Sequence, residues 1–164
     1  MEWVLQSVNG EGKMKKRNVL HLLLISLVLL AGCDAFQEAD PYPYQVLAEG
    51  DFSGVRSPME EIIDNNVEWQ QFWRLHMSRT SSPEPVPQVD FASFVVVALF
   101  AGDKPSSGYS ITIVAVTEKD SDVRIDYRIE GSGGPLQILT QPFAILKLQK
   151  PVGGIIIRRL SDRF

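Results

Sequence analysis

Few side chains in this sequence could act as nucleophiles, bases or metal ligands. It has one cysteine, Cys33, and two histidines, His21 and His76. A zinc site takes three or four N/S ligands, so this supply argues against one, and a single Cys rules out a disulfide framework. A Ser–His–Asp apparatus needs an imidazole held against its nucleophile. His21 sits in an apolar N-terminal run and His76 on an aromatic face, and there is no Gly-x-Ser-x-Gly turn. Glu60 and Glu61 are adjacent, so on a strand their carboxylates point to opposite faces. The expectation is a protein that is not an enzyme and holds no metal and no cofactor. The chain has 16 Lys+Arg against 20 Asp+Glu, a net charge of -4, which leaves no basic footprint for nucleic acid. Its 164 residues, 45% of them apolar, suit one globular domain.

The cysteine has the clearest context. Lys15-Lys16-Arg17 precede an apolar run over residues 19–30, broken only by His21 and Ser26, and Leu30-Ala31-Gly32-Cys33 follows. A basic segment, a short apolar segment and a small-residue cleavage site make a secretory signal. The run is too short to cross a hydrocarbon core, which takes roughly 20 residues. Leu-Ala-Gly-Cys resembles the lipobox of bacterial lipoproteins. That resemblance implies diacylation of the Cys33 thiol, cleavage before Cys33 and acylation of the new amino group. Met14 opens a complete signal by itself. Residues 1–13 are therefore read as a misassigned start, 14–32 as signal peptide, 33–43 as lipidated tether and 44–164 as the folded domain. The segment lost carries Lys13, Lys15, Lys16 and Arg17 against Glu2 and Glu11, so the remainder is more acidic than the whole. Such a body stands off from anionic lipid. The expected location is the bacterial cell envelope, outside the cytoplasm, facing the periplasm or the surface.

Elements must then position whatever the domain binds with. Residues 34–43 (DAFQEADPYP) read as an extended tether. Strands are expected over 44–48 and 59–63. Asn65 and Glu68 are spaced as a helix N-cap and its third residue. Trp69, Phe72, Trp73 and His76 follow on one helical face, which predicts a helix to about Ser78 packed on a sheet. Residues 79–88 contain three prolines and read as an extended crossover. Residues 94–100 (FVVVALF) are a central strand buried on both faces. Over 109–117, Tyr109, Ile111, Ile113 and Ala115 share one face and Ser110, Thr112, Val114 and Val116 the other. Over 122–130, Val123, Ile125, Tyr127 and Ile129 point inward. Further strands fall at 141–149 and 155–159, with a tight hairpin at Lys119-Asp120-Ser121 and a looser turn at 131–135. The fold class is α+β, a mainly antiparallel β-sheet with one packed helix.

Two connections stand out. Gly102-Asp103-Lys104-Pro105-Ser106-Ser107-Gly108-Tyr109 joins two strands with glycine near both ends, and it lacks the Gly-Lys-Ser/Thr close of a phosphate loop. The second is Gly131-Ser132-Gly133-Gly134, followed by Thr140-Gln141-Pro142-Phe143-Ala144-Ile145-Leu146-Lys147. Gly102-x-Lys104-Pro105-x-x-Gly108-Tyr109-Ser110-Ile111 and the Thr140–Lys147 run, together with Val89-Asp90-Phe91, the apolar strand over 94–100 and the Glu68-Trp69-x-x-Phe72-Trp73 helix, resemble the PrcB C-terminal domain family over about residues 45–150. The resemblance implies an envelope lipoprotein, accessory to a protease complex, that binds or stabilises another envelope protein such as a peptidase. The contact surface expected on that reading comprises Gly102, Lys104, Pro105, Ser107, Gly108, Tyr109, Gly133, Pro142 and Phe143, with Tyr109 as either anchor or core residue. Lys-Pro-Ser-Ser-Gly-Tyr, Gly-Ser-Gly-Gly and Gln-Pro-Phe also resemble, in order, the three binding loops of chagasin-type protease inhibitors. The chain departs from that pattern in spacing, in Phe143 where Trp is usual and in Gln141 where Arg is usual. A third reading is a small envelope ligand bound by exposed Trp69 or Trp73.

Overall fold

Alternating apolar residues build two sheets rather than one. In the computed structural model, which describes residues 39–132 and 134–161, β1 (Asp40–Pro41), β5 (Ser110–Lys119), β6 (Asp122–Glu130) and β8 (Ile155–Arg159) form the first sheet in the order β1-β5-β6-β8. The second, ordered β2-β7-β4-β3, contains β2 (Tyr44–Gly50), β7 (Phe143–Gln149), β4 (Phe94–Phe100) and β3 (Met59–Ile63). All pairings are antiparallel except β6 with β8. A helix, α1 (Asn66–His76), and a 3-10 turn (Met77–Arg79) complete the described elements. The α+β expectation holds, with its sheet divided into a sandwich. Cys33, the segment read as a signal peptide and Gly133 lie outside the described residues.

The division explains why β4 is apolar throughout. Val95, Val97 and Leu99 face the first sheet and pack with Val123, Ile125, Ile129, Leu146 and Leu148. Val96, Ala98 and Phe100 face the helix and pack with Trp69, Phe72, Trp73, Phe143 and Ile145. The strand is buried on both sides, so neither face can alternate with polar residues. Asn65 Oδ1 accepts the Glu68 N–H at 3.0 Å, capping α1 where the spacing predicted. Trp69 and Trp73 donate their indole N–H groups to the carbonyls of Pro87 (2.8 Å) and Glu84 (3.0 Å). These bonds pin the proline-rich crossover to the helix. Asp90 then caps the turn that launches β4, accepting from the Ala92 N–H at 3.0 Å and the Ser93 hydroxyl at 2.7 Å.

Two expectations change. Val116, expected beside Thr112, lies in the inter-sheet core with Ile111 and Ile113. A bulge between Ile113 and Ala115 adds Val114 to the strand, where it is exposed, and one extra residue inverts a period of two. The segment read as tether also enters the fold early. Asp40 and Pro41 pair with Glu118 and Thr117 of β5, and the Tyr42 N–H donates to the Val116 carbonyl at 2.9 Å. Pro41 can sit there because an edge strand does not need its N–H.

Candidate functional site

Strand direction decides which loops meet. Gly50 pairs with Phe143, Phe100 with both Phe143 and Met59, and Ser110 with Glu130. Hence β2, β4 and β6 end, and β3, β5 and β7 begin, at the same end of the sandwich. Loops 51–58, 101–109 and 131–142 all emerge there. The last two cross between the sheets, so they run beside each other.

Hydrogen bonds lock them together. Lys104 and Thr140 form an antiparallel bridge, with N–H to carbonyl distances of 2.8 and 3.0 Å in the two directions. The Ser107 N–H donates to the Leu136 carbonyl at 3.0 Å, and the Gly134 N–H donates to the Ser107 carbonyl. Thr140, itself buried, donates its hydroxyl to the Ser106 carbonyl at 3.0 Å. Gly131, at φ +115°, lies so close to the Gly108 carbonyl that a Cβ there would overlap it. Glycine is required at that point both for its backbone angle and for the approach.

The bond that joins all three loops centres on Asp103, which sequence reasoning did not single out. Arg56 of the first loop donates to Asp103 Oδ2 from Nε at 2.9 Å and Nη2 at 2.6 Å. Gln141 of the third loop donates from Nε2 to Asp103 Oδ1 at 2.8 Å. Bonds from Arg56 and then Gln141 hold the Asp103 carboxyl below the usual carboxylate range. Gln141 is thus occupied inside the cluster. The two partners of Asp103 lie 47 residues before it (Arg56) and 38 after it (Gln141), so no local pattern reveals them.

The expected contact residues fall into two groups. Pro105 and Gly108 are exposed, and Lys104 and Ser107 are half-buried. Tyr109 is half-buried against the inter-sheet core, with Lys104 Nζ 5.8 Å from its ring centroid. Gly102, Pro142 and Phe143 are buried and support the cluster from below. The Phe143 ring lies 4.4 Å from that of His76 and 5.8 Å from that of Phe100, so it belongs to the aromatic core and not the rim. Its place on the surface is taken by side chains not expected there: Phe52, Leu136, Ile138 and Leu139 are each 45–64% exposed. Phe52 and Leu139 border a pocket of about 380 Å³ with Gln141 and Arg79. The available signal was three apolar residues, Leu136, Ile138 and Leu139, clustered in a connection between strands.

Beneath this end lies a buried polar pair. The Ser53 hydroxyl meets His76 Nδ1 at 2.9 Å and accepts the Val55 N–H at 3.0 Å. Both side chains are almost fully covered, and burial lowers the His76 pKa to about 4. The pair fastens loop 51–58 to α1. Trp69 and Trp73 are 0% and 2% exposed, so neither ring is free to stack on a ligand, which corrects the expectation of an exposed tryptophan. Among the described residues no three His, Cys, Asp or Glu side chains are grouped to hold a metal.

No curated protein and no solved structure gives a significant match to the chain. Residues 95–149 match the family model described as PrcB C-terminal. The matched span is shorter than the resemblance read from the sequence and leaves out α1. It runs from β4 through β7 and contains both sheet-crossing loops, so the similarity to the PrcB C-terminal family rests on this part of the chain.

Proposed function

We propose that the protein is a lipid-anchored, extracytoplasmic subunit that binds another envelope protein through the three-loop end of the sandwich. The match to the PrcB C-terminal family points to association with a protease complex. The observation that carries the binding surface is the exposed apolar group Phe52, Leu136, Ile138 and Leu139 on loops braced by Asp103. Exposed apolar side chains held on a rigid frame lose little entropy when covered. The chain enters this unit through β1, at the opposite end, because Asp40 pairs with Glu118 near the close of β5. The role is binding rather than catalysis: the buried Ser53–His76 pair has no access to substrate.

A photo-reactive residue placed at Leu136, and separately at Val152, tests this in the native envelope. Position 136 should capture one defined protein, a peptidase or its partner, and Leu139→Asp should abolish that product. Identical products from both positions, or none from either, would refute the reading.

Inhibition of papain-like proteases is the second reading, favoured by three loops at one end of a β-sandwich. It requires micromolar or tighter inhibition that Tyr109→Ala weakens. The burial of Gln141, Pro142 and Phe143 weighs against it, since the third loop's motif is not presented.

A further inference from the structure

The open edge of the second sheet carries a separate recognition surface. β3 is the last strand in the order β2-β7-β4-β3, and Glu60, Glu61 and Ile62 are exposed along it. Every second residue of an edge strand turns its N–H and C=O outward, unpaired by the sheet. Beside this edge runs a groove of about 260 Å³ between β3 and α1. Met59, Ile63, Phe72 and Leu75 supply its apolar wall, and Leu75 is half exposed. Glu61 and Glu68 line it as well, with no Lys or Arg. Among the described residues neither carboxylate is ion-paired. Glu60 points the other way and accepts the Tyr127 hydroxyl at 2.6 Å, which ties the edge to the first sheet.

We propose that this edge binds an extended segment of a partner protein by strand addition, and that the segment has the pattern apolar–x–basic–x–apolar. Side chains on the groove side of an added strand recur every second residue. Those opposite Met59 and Ile63 meet apolar wall, and the one between them meets Glu61. The pattern reads the same in either strand direction. A second copy of this chain does not fit. Two β3 strands paired about Glu61 would set that carboxylate against its own copy, and like charges directly opposite are destabilising. Main-chain bonds to the edge would give affinity, and the groove would give specificity. These residues are not those of the loop cluster, so the inference stands or falls independently of the loop reading.

The test uses the full chain in detergent micelles and a fluorescein-labelled heptapeptide, Ser-Val-Thr-Lys-Thr-Val-Ser. Anisotropy should rise saturably at low salt. Glu61→Lys should weaken binding by about tenfold or more. The same peptide with Glu in place of Lys should bind the wild type poorly and the Glu61→Lys variant better. Leu75→Asp, on the exposed helix wall, should weaken both pairings. Amide exchange of 59–63 should slow on peptide addition. Absence of saturable binding to the wild type, or equal affinity of both peptides for both proteins, would overturn the proposal.

Discussion

The second sheet buries two faces of different character. Toward the first sheet it presents Val95, Val97, Leu99, Leu146 and Leu148, which meet Val123, Ile125 and Ile129. Toward the helix it presents Phe100, Phe143 and Ile145, which meet Trp69, Phe72, Trp73 and His76. Aliphatic side chains interdigitate well across two sheets about 10 Å apart. One helix cannot cover a sheet alone, and large rings span the remaining gap. Those rings also carry polar tips that fasten the crossover and, through His76, loop 51–58. The aliphatic layer therefore supplies mostly packing. The aromatic layer supplies packing and also fixes the segments around the loop cluster.

That contrast can be broken by experiment. Trp69→Ala should cost ~3–5 kcal/mol in urea unfolding, as large aromatic truncations do. It should also raise protease cutting within 81–90. Leu146→Ala, even if matched in cost, should leave that segment protected. Equal cutting in both variants would mean the aromatic layer has no special positioning role.

Acid gives the next effect. The His76 pKa is lowered to about 4 in the folded state from 6.5, so below about pH 6.5 the unfolded chain binds more protons. Stability should be full above that value, fall as the pH drops and level off near 4, a loss of order 3 kcal/mol. The urea midpoint followed against pH measures this, and His76→Phe should flatten the window. Asp103 acts in a different range. Its depressed folded pKa contributes stability above the unfolded carboxylate value, lost only as pH falls below that range.

On the aliphatic side, Ile125→Val should cost ~0.5–1.5 kcal/mol and leave the loops' amide exchange unchanged. The smallest effect is a gain. Asp120 and Ser121 both have positive φ, 54° and 72°, in the two-residue hairpin between β5 and β6. Ser121→Gly should stabilise by a few tenths to about 1 kcal/mol, since such turns favour glycine there. That turn is remote from both layers, so the same gain is expected in every variant above.

Much of the fold was legible in the sequence. β3, β4, β6 and β8 fall on the expected residues, because apolar alternation or continuity marks each one. The helix cap and face are equally local. The division into two sheets was hidden. Loops 101–109 and 131–142 read as ordinary connections between neighbouring strands, and nothing local shows that each crosses the sandwich. The β5 bulge was hidden because Val114 is itself apolar and fits either face. For the site, the two glycine-bearing loops were located, but their exposed side chains were not. Phe143 looked like a rim aromatic and is a core ring, while Leu136 and Leu139, which no sequence pattern singled out, stand on the rim. Arg56, Asp103 and Gln141 are joined only by the fold.

β1 also has a mechanical meaning. Tension drawn on the chain from its N-terminal side meets the Asp40–Glu118 and Pro41–Thr117 rungs first, then the Tyr42 bond to Val116. These contacts sit at a sheet edge and load one after another, so they part at low force. Next in line is the Tyr42 hydroxyl, which donates to the Gln149 carbonyl at 3.1 Å. Releasing the stitch frees Asp40–Pro43 from the sheet, while Tyr44 onward stays paired with β7. The domain can thus yield to a pull and reseat without unfolding the layers that hold its loops.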